Sequence, residues 1–155
     1  MSALLLVAAG CGGGIGSGAV LTVYVSAPLS GRQAGEGKAL CASAKRELAR
    51  SGHRVGRIRV QAVCLDDSRA GKRWSLAAVG ANARRATEDS TAIGYIGELD
   101  PAATRFSRPI VEGAGLAQVS DRPGAAAMAI LLRAVREAGE SDSMREAVRE
   151  KVAGG

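Results

Sequence analysis

Few residues of this 155-residue chain carry chemistry of their own. There are three cysteines, at positions 11, 41 and 64, and one histidine, His53. Such a set lacks the paired Cys/His spacing that a zinc site needs. Asp66 and Asp67 place two carboxylates side by side, but no third ligand is near in sequence, and the pair reads as a solvated turn. His53 follows Gly52 in a loop with no nucleophile at motif spacing, and Ser30 and Ser120 stand in no nucleophile-elbow motif. No metal, cofactor or catalytic group is therefore expected, and the chain does not read as an enzyme. Cys41 falls in a helical pattern and Cys64 in a strand; they are most simply small buried apolar residues, and in an exported protein they could pair. Gly14-x-Gly16-x-x-Ala19 loosely fits a dinucleotide-binding loop. That chemistry needs a helix directly after the glycines, so that its N-terminus faces a pyrophosphate. The residues that follow, Val20-Leu21-Thr22-Val23-Tyr24-Val25, are β-branched and aromatic and predict a strand. A cytosolic dinucleotide-binding α/β domain is thus the alternative reading.

The N-terminus suggests a different chemistry. The apolar run at residues 4–9 leads into Ala8-Ala9-Gly10-Cys11 and then into glycines and serine. This resembles the lipobox of bacterial lipoproteins, in which small residues fit the signal peptidase and the Cys thiol takes the lipid. The resemblance implies lipidation at Cys11, with residues 1–19 as signal and Gly-rich tether. Ala8 stands where Leu is more usual, and no Lys or Arg precedes the run. The run is far short of the roughly 20 apolar residues of a spanning helix.

Composition narrows the class. Apolar types make up 46% and charged residues 23%, ordinary values for one globular domain. The net charge of +6 comes from 21 Lys and Arg against 15 Asp and Glu. The basic residues are scattered, and aromatics are only 3%, too few for stacking on single-stranded nucleic acid. A solvated Arg-rich surface is expected, without a nucleic-acid partner.

The elements that must position any site alternate. Strands are predicted at residues 20–27, 58–65, 92–96 and 116–119, and helices at 38–51, 75–89, 101–113, 125–138 and 143–152. Asp100-Pro101 is a strong helix start, Pro109 is expected to interrupt that helix, and Ser143 with Glu146 reads as a capping box. The order β-α-β-α-β-α-β-α-α predicts an α/β fold, a doubly wound parallel sheet of about four strands with helices on both faces. Ligands of such sheets bind outside the carboxyl ends of the strands, here residues 28–37, 66–74, 97–104 and 120–123.

Several of these segments carry a family resemblance. Val23-Tyr24-Val25-Ser26-Ala27-Pro28-Leu29-Ser30-Gly31 looks like the first strand and loop of type 1 periplasmic binding proteins, in the branch of leucine/isoleucine/valine receptors of ABC importers. Tyr95-Ile96-Gly97-Glu98-Leu99-Asp100-Pro101-Ala102-Ala103-Thr104, with Pro109-Ile110 and Ala114-Gly115-Leu116-Ala117-Gln118-Val119-Ser120, is similar to that family's next signature. The segments Leu65-Asp66-Asp67 and Ala81-Asn82-Ala83 resemble the element between. The resemblance covers about residues 20–120 and implies a lipid-anchored substrate-binding component of a branched-chain amino-acid transporter, with an ABC permease as partner and the extracytoplasmic face of the membrane as its location. Family members have two lobes, so residues 20–155 would be a single truncated lobe.

Carried over residue by residue, the ligand's α-amino-acid group would meet the first loop, Ser30, Gly31 and Glu36, then the small turn, Ala102, Ala103 and Thr104, and finally Ser120. Glu36 stands where an aromatic is common, and Pro101 and Ala102 offer no hydroxyl where one is expected. The helix amides at Ala102 and Ala103 remain to hold a carboxylate. A half-clamp of this kind buries little of a small ligand, so weak binding is expected.

Overall fold

A computed structural model of the chain describes residues 20–68 and 73–155. Cys11, the glycine motif at residues 14–19 and the rest of the expected signal and tether lie outside the described residues. The central strand, β1 (Val20–Ala27), is buried on both faces, which accounts for its near-continuous apolar sequence. It pairs in parallel with β3 (Ile58–Asp66) on one side and β4 (Ala92–Ile96) on the other, and β4 pairs in parallel with β5 (Ala117–Val119). The order β2-β3-β1-β4-β5 includes a fifth strand, β2 (Arg54–Val55), antiparallel to β3. The four-strand expectation missed it because two residues between Gly52 and Gly56, both at positive φ, carry no readable periodicity.

Alternation along β1 divides the core. Leu21, Val23, Val25 and Ala27 face α1 (Ala34–Arg50), α4 (Gly124–Ala138) and α5 (Met144–Gly154). Tyr24 faces the other way, with Tyr95, toward α2 (Leu76–Glu88) and α3 (Pro101–Gly113). The sheet is therefore doubly wound, as expected. Val23, Val25, Val60, Ile93, Tyr95 and Val119 of the strands and Met128, Leu131, Leu132 and Val135 of α4 are buried, and Ala62 is partly buried.

Local rules explain most boundaries. Ser75 caps α2 by accepting from the Ala78 amide at 3.1 Å, and Asp100 caps α3 ahead of Pro101. Three expectations need correction. The first helix begins at Ala34, one turn before residue 38, because Gly35 and Gly37 are inside it: a Cβ at Gly37 would lie 1.8 Å from the Pro28 carbonyl oxygen. Pro109 does not interrupt α3, which runs on to Gly113; it forfeits one helical N–H there, and the flanking Ser107 and Val111 remain buried against the sheet. Ser143 makes no side-chain cap; its own amide instead donates to Ser141 Oγ at 3.3 Å.

For the cysteines, pairing is the alternative observed. Cys41 on α1 and Cys64 on β3 form a disulfide across 6.1 Å between Cα atoms, 23 residues apart. Helix and strand patterns place each residue on its element but say nothing of the distance between elements, which only the packing of α1 over the sheet sets.

At the far end of the sheet Arg145 of α5 ties three segments together. Its guanidinium donates to the carbonyls of Thr87 at 3.1 Å, Ala92 at 3.2 Å and Ala114 at 3.4 Å, and to that of Asp89.

Candidate ligand-binding groove

The carboxyl ends of β1, β3, β4 and β5 open on the same end of the sheet. There a groove of about 560 Å³ runs between α1 and the start of α4. Its floor is Ile96 to Leu99 and Val119 to Gly124; its wall is Glu36, Ala39, Leu40, Ser43 and Arg46 of α1. Gly124 allows the wall to close, since a Cβ there would lie 2.1 Å from the Leu40 carbonyl oxygen. The rim has both signs of charge, Glu36 and Asp121 against Arg46 and Arg122.

The expected site residues fall into three places. Glu36 and Ser120 line the groove, and Ser120 Oγ accepts from Arg108 Nη2 at 2.7 Å. Ser30 and Gly31 sit in the loop after β1, beside the loop after β3: Ser30 Oγ is 2.6 Å from Ser68 Oγ, and the Leu29 amide donates to Asp66 Oδ1 at 2.8 Å. Gly31 has φ 72°, a conformation that suits glycine. Ala102, Ala103 and Thr104 form the first turn of α3, and Thr104 borders a second hollow of about 590 Å³ with Arg105, Arg108 and Asp121.

The α3 amides are not free. Ala102 N–H donates to Asp100 Oδ1 at 2.8 Å. The Ala102 amide, the Trp74 side chain and the Ala103 amide together hold the Asp100 carboxyl below its ordinary range. A ligand carboxylate at this turn has to displace Asp100. Thr104 is buried, its Oγ1 3.2 Å from the Glu98 amide nitrogen and 3.3 Å from the Glu98 carbonyl oxygen.

Sequence reasoning overlooked the polar group behind the floor of the groove. Asp67 and Glu98 are almost wholly buried, and Ser26, Asn82, Tyr95, Ser107 and Gln118 are buried near them. Tyr95 OH donates to Glu98 Oε1 at 2.7 Å and Ser107 Oγ to Oε2 at 2.5 Å. Asn82 Nδ2 donates to Ser26 Oγ at 3.0 Å, and Gln118 Nε2 to the Gly97 carbonyl and to Ser107 Oγ, both at 2.8 Å. Burial raises the Glu98 carboxyl against the pull of these donors. Burial, then the charge of Glu98, pushes Asp67 up to about 7. The available signal was Ser26 and Gln118, polar residues inside otherwise apolar strands.

Among the described residues no group of three or more His, Cys, Asp or Glu side chains forms a metal centre, and no helix is long and apolar enough to cross a membrane. The helix that a dinucleotide loop needs after its glycines is replaced by β1, so the alternative reading loses its support.

No protein-family model and no curated protein matches the sequence. Solved structures do. The chain is similar to a leucine binding protein from Thermotoga maritima, at 21% identity and a TM-score of 0.56 over 64% of this chain and 27% of that one. This is the type 1 periplasmic-binding-protein fold. A solute binding protein from R. palustris, in complex with 4-hydroxybenzoate, shares the periplasmic-binding-protein fold at 20% identity and a TM-score of 0.58, over 66% of this chain and 27% of that one. A protein from Rhodospirillum rubrum assigned to a branched-chain amino acid ABC transporter matches 86% of this chain and 46% of its own, at 16% identity and a TM-score of 0.58. At these identities what is shared is the fold. The chain spans about a quarter to a half of the length of these binding proteins.

Proposed function

We propose that the chain is a ligand-binding lobe of an extracytoplasmic solute-binding protein serving an ABC permease, anchored to the membrane by lipid at Cys11. The observation that carries this reading is the groove. It lies outside the carboxyl ends of parallel strands, where ligands of such sheets bind, in a fold whose solved examples include solute-binding proteins. The Cys41–Cys64 disulfide supports the location, since such bonds persist in oxidising compartments and are rare in the cytosol. The mixed rim charges, Glu36 and Asp121 with Arg46 and Arg122, complement a small zwitterion such as a branched-chain or other amino acid. Of the contacts expected for it, Glu36 and Ser120 line this groove, whereas Ser30, Gly31, Ala102, Ala103 and Thr104 lie outside its lining.

A groove covered on one side only leaves much of a ligand in water, and each exposed methylene forfeits about 0.8 kcal/mol. Asp100 already occupies the α3 amides. The chain alone is therefore expected to bind leucine, isoleucine or valine more weakly than about 1 mM, or about −4 kcal/mol. Titration calorimetry at millimolar amino acid tests this. Micromolar binding by the monomer would contradict the single-lobe reading; micromolar binding by a dimer alone would mean that a second copy covers the ligand.

A further inference from the structure

The buried polar group behind the groove is short of hydrogen-bond donors. Among the described residues, two of its side-chain atoms have no partner, Asp67 Oδ1 and Gln118 Oε1, and both are acceptors. Asp67 is 1% exposed and Gln118 8%. An unpaired buried acceptor costs about 1–3 kcal/mol, and more when it is charged. A proton on one of the carboxyls would turn an acceptor into a donor and remove a buried charge in the same step.

We propose that Asp67 and Glu98 form a buried acid pair that keeps at least one proton in the folded chain on the acid side of neutrality, and that losing this proton as pH rises loosens the turn from Gly97 to Thr104. The groups packed around the pair come from every neighbouring element. β1 contributes Ser26, whose Oγ accepts from Asn82 Nδ2 and whose hydroxyl opposes the burial effect at Asp67. Asn82 comes from α2, Tyr95 from β4, Ser107 from α3 and Gln118 from β5. The charges that act most on Asp67 are Glu98, Asp66 and Asp100, all anionic. Arg73 acts on Asp100. Two ionised carboxylates in such surroundings repel, and the low polarity of the interior amplifies the repulsion. Burial followed by the charge of Glu98 brings Asp67 to about 7, close to neutral pH.

The link to the turn is direct. Glu98 lies within it, Thr104 is clasped to the Glu98 backbone, and Gln118 holds the Gly97 carbonyl while also bonding the serine that donates to Glu98. A carboxylate displaced from Tyr95 and Ser107 pulls on all of these. Its bearing on ligand binding rests on the groove being the binding site; the proton linkage does not.

The unfolded chain releases the Asp67 proton near its ordinary value of 3.8, and the folded chain near 7. Stability is thus fully present below pH ~4 for this group and is lost as pH rises toward ~7, the folding constant falling by up to about tenfold per pH unit. The test is carboxyl-carbon NMR titration of the full oxidised chain, with denaturant unfolding of wild type and Asp67→Asn across the same pH range. Asn mimics the protonated acid, so D67N should flatten the slope and exceed wild type in stability at pH ~8. Both carboxyls titrating below pH ~5, or an unchanged slope in D67N, overturns the proposal. If D67N does not fold, the wild-type titration decides alone. Amide exchange at Glu98 and Thr104 should accelerate from pH ~5 to ~8 beyond that of β1 amides, after correction for base catalysis. Equal acceleration overturns the loosening of the turn.

Discussion

Single residues hold the groove in shape through contacts too close for any substitution. Gly124 presses its backbone against the Leu40 carbonyl, with Ser43 Oγ also within 2.5 Å of where a Cβ would stand. Gly124→Ala should force α4 away from α1 and cost about 1–3 kcal/mol, as overpacking does. Urea unfolding measures the cost, and a variant as stable as wild type would show that α4 can slide without penalty. Asp100 has two roles, as N-cap and as occupant of the amides that a ligand carboxylate would want. Asp100→Ala should lower stability by about 1 kcal/mol, the usual loss for a cap. Thermal unfolding of this variant is the check.

Elements are joined by two devices that propensity does not report. The disulfide ties α1 to β3 and closes a loop of 23 residues. Loop-closure entropy for that length is worth about 3 kcal/mol. Cys41→Ser with Cys64→Ser should lower the unfolding free energy by about that amount, and a reducing agent should do the same to wild type. Unchanged stability on reduction would show that the bond adds nothing to the packing of α1. Arg145 is the second device, one guanidinium on four carbonyls from α2, β4 and the loop before β5. Lys cannot copy a planar fork of donors. Arg145→Lys should therefore lose stability nearly as Arg145→Ala does, by about 2 kcal/mol. Full rescue by Lys would reduce the role of Arg145 to its charge.

At the scale of the whole molecule, location and pH response matter most. If Cys11 carries lipid, Cys11→Ser should move the protein from the membrane fraction to the soluble one, since a bacterial lipoprotein carries more than one acyl chain and a single chain already binds marginally. A wild-type-like membrane fraction for the variant would exclude that anchor. The acid side of the stability profile is set by Asp66, Asp89 and Asp100. Burial pulls Asp66 up, but bonds from Ser68, Leu29 and Ser30 outweigh it; burial opposes Asp89 too, and is outweighed by Thr91, Tyr24 and the charge of Arg145. Asp100 is lowered by the Ala102 amide first and then by Trp74. All three lie below their ordinary value, so their contribution is present above pH ~4 and is lost as pH falls through their lower folded values. Together with the opposite trend of Asp67, whose contribution falls as pH rises from ~4 toward ~7, stability set by these groups should peak at pH ~4 to ~5, which unfolding midpoints across pH will show.

The amino-acid sequence by itself determined the alternation of strands and helices, the start of α3 at Asp100-Pro101, and the likeness to periplasmic binding proteins. Each of these is written in local periodicity or in a contiguous motif, because a strand or helix shows its buried face within a few residues. The edge strand β2, the Cys41–Cys64 bond, the Arg145 clasp and the Asp67–Glu98 pair were decided only by tertiary structure. Each depends on a distance between segments far apart in sequence, such as the 31 residues from Asp67 to Glu98. The same holds at the candidate site. The first loop, the small turn and Ser120 were legible as strand ends, but that Asp100 already claims the α3 amides, and that α1 supplies a wall with Arg46, follows from how helices settle on the sheet rather than from any residue pattern along it.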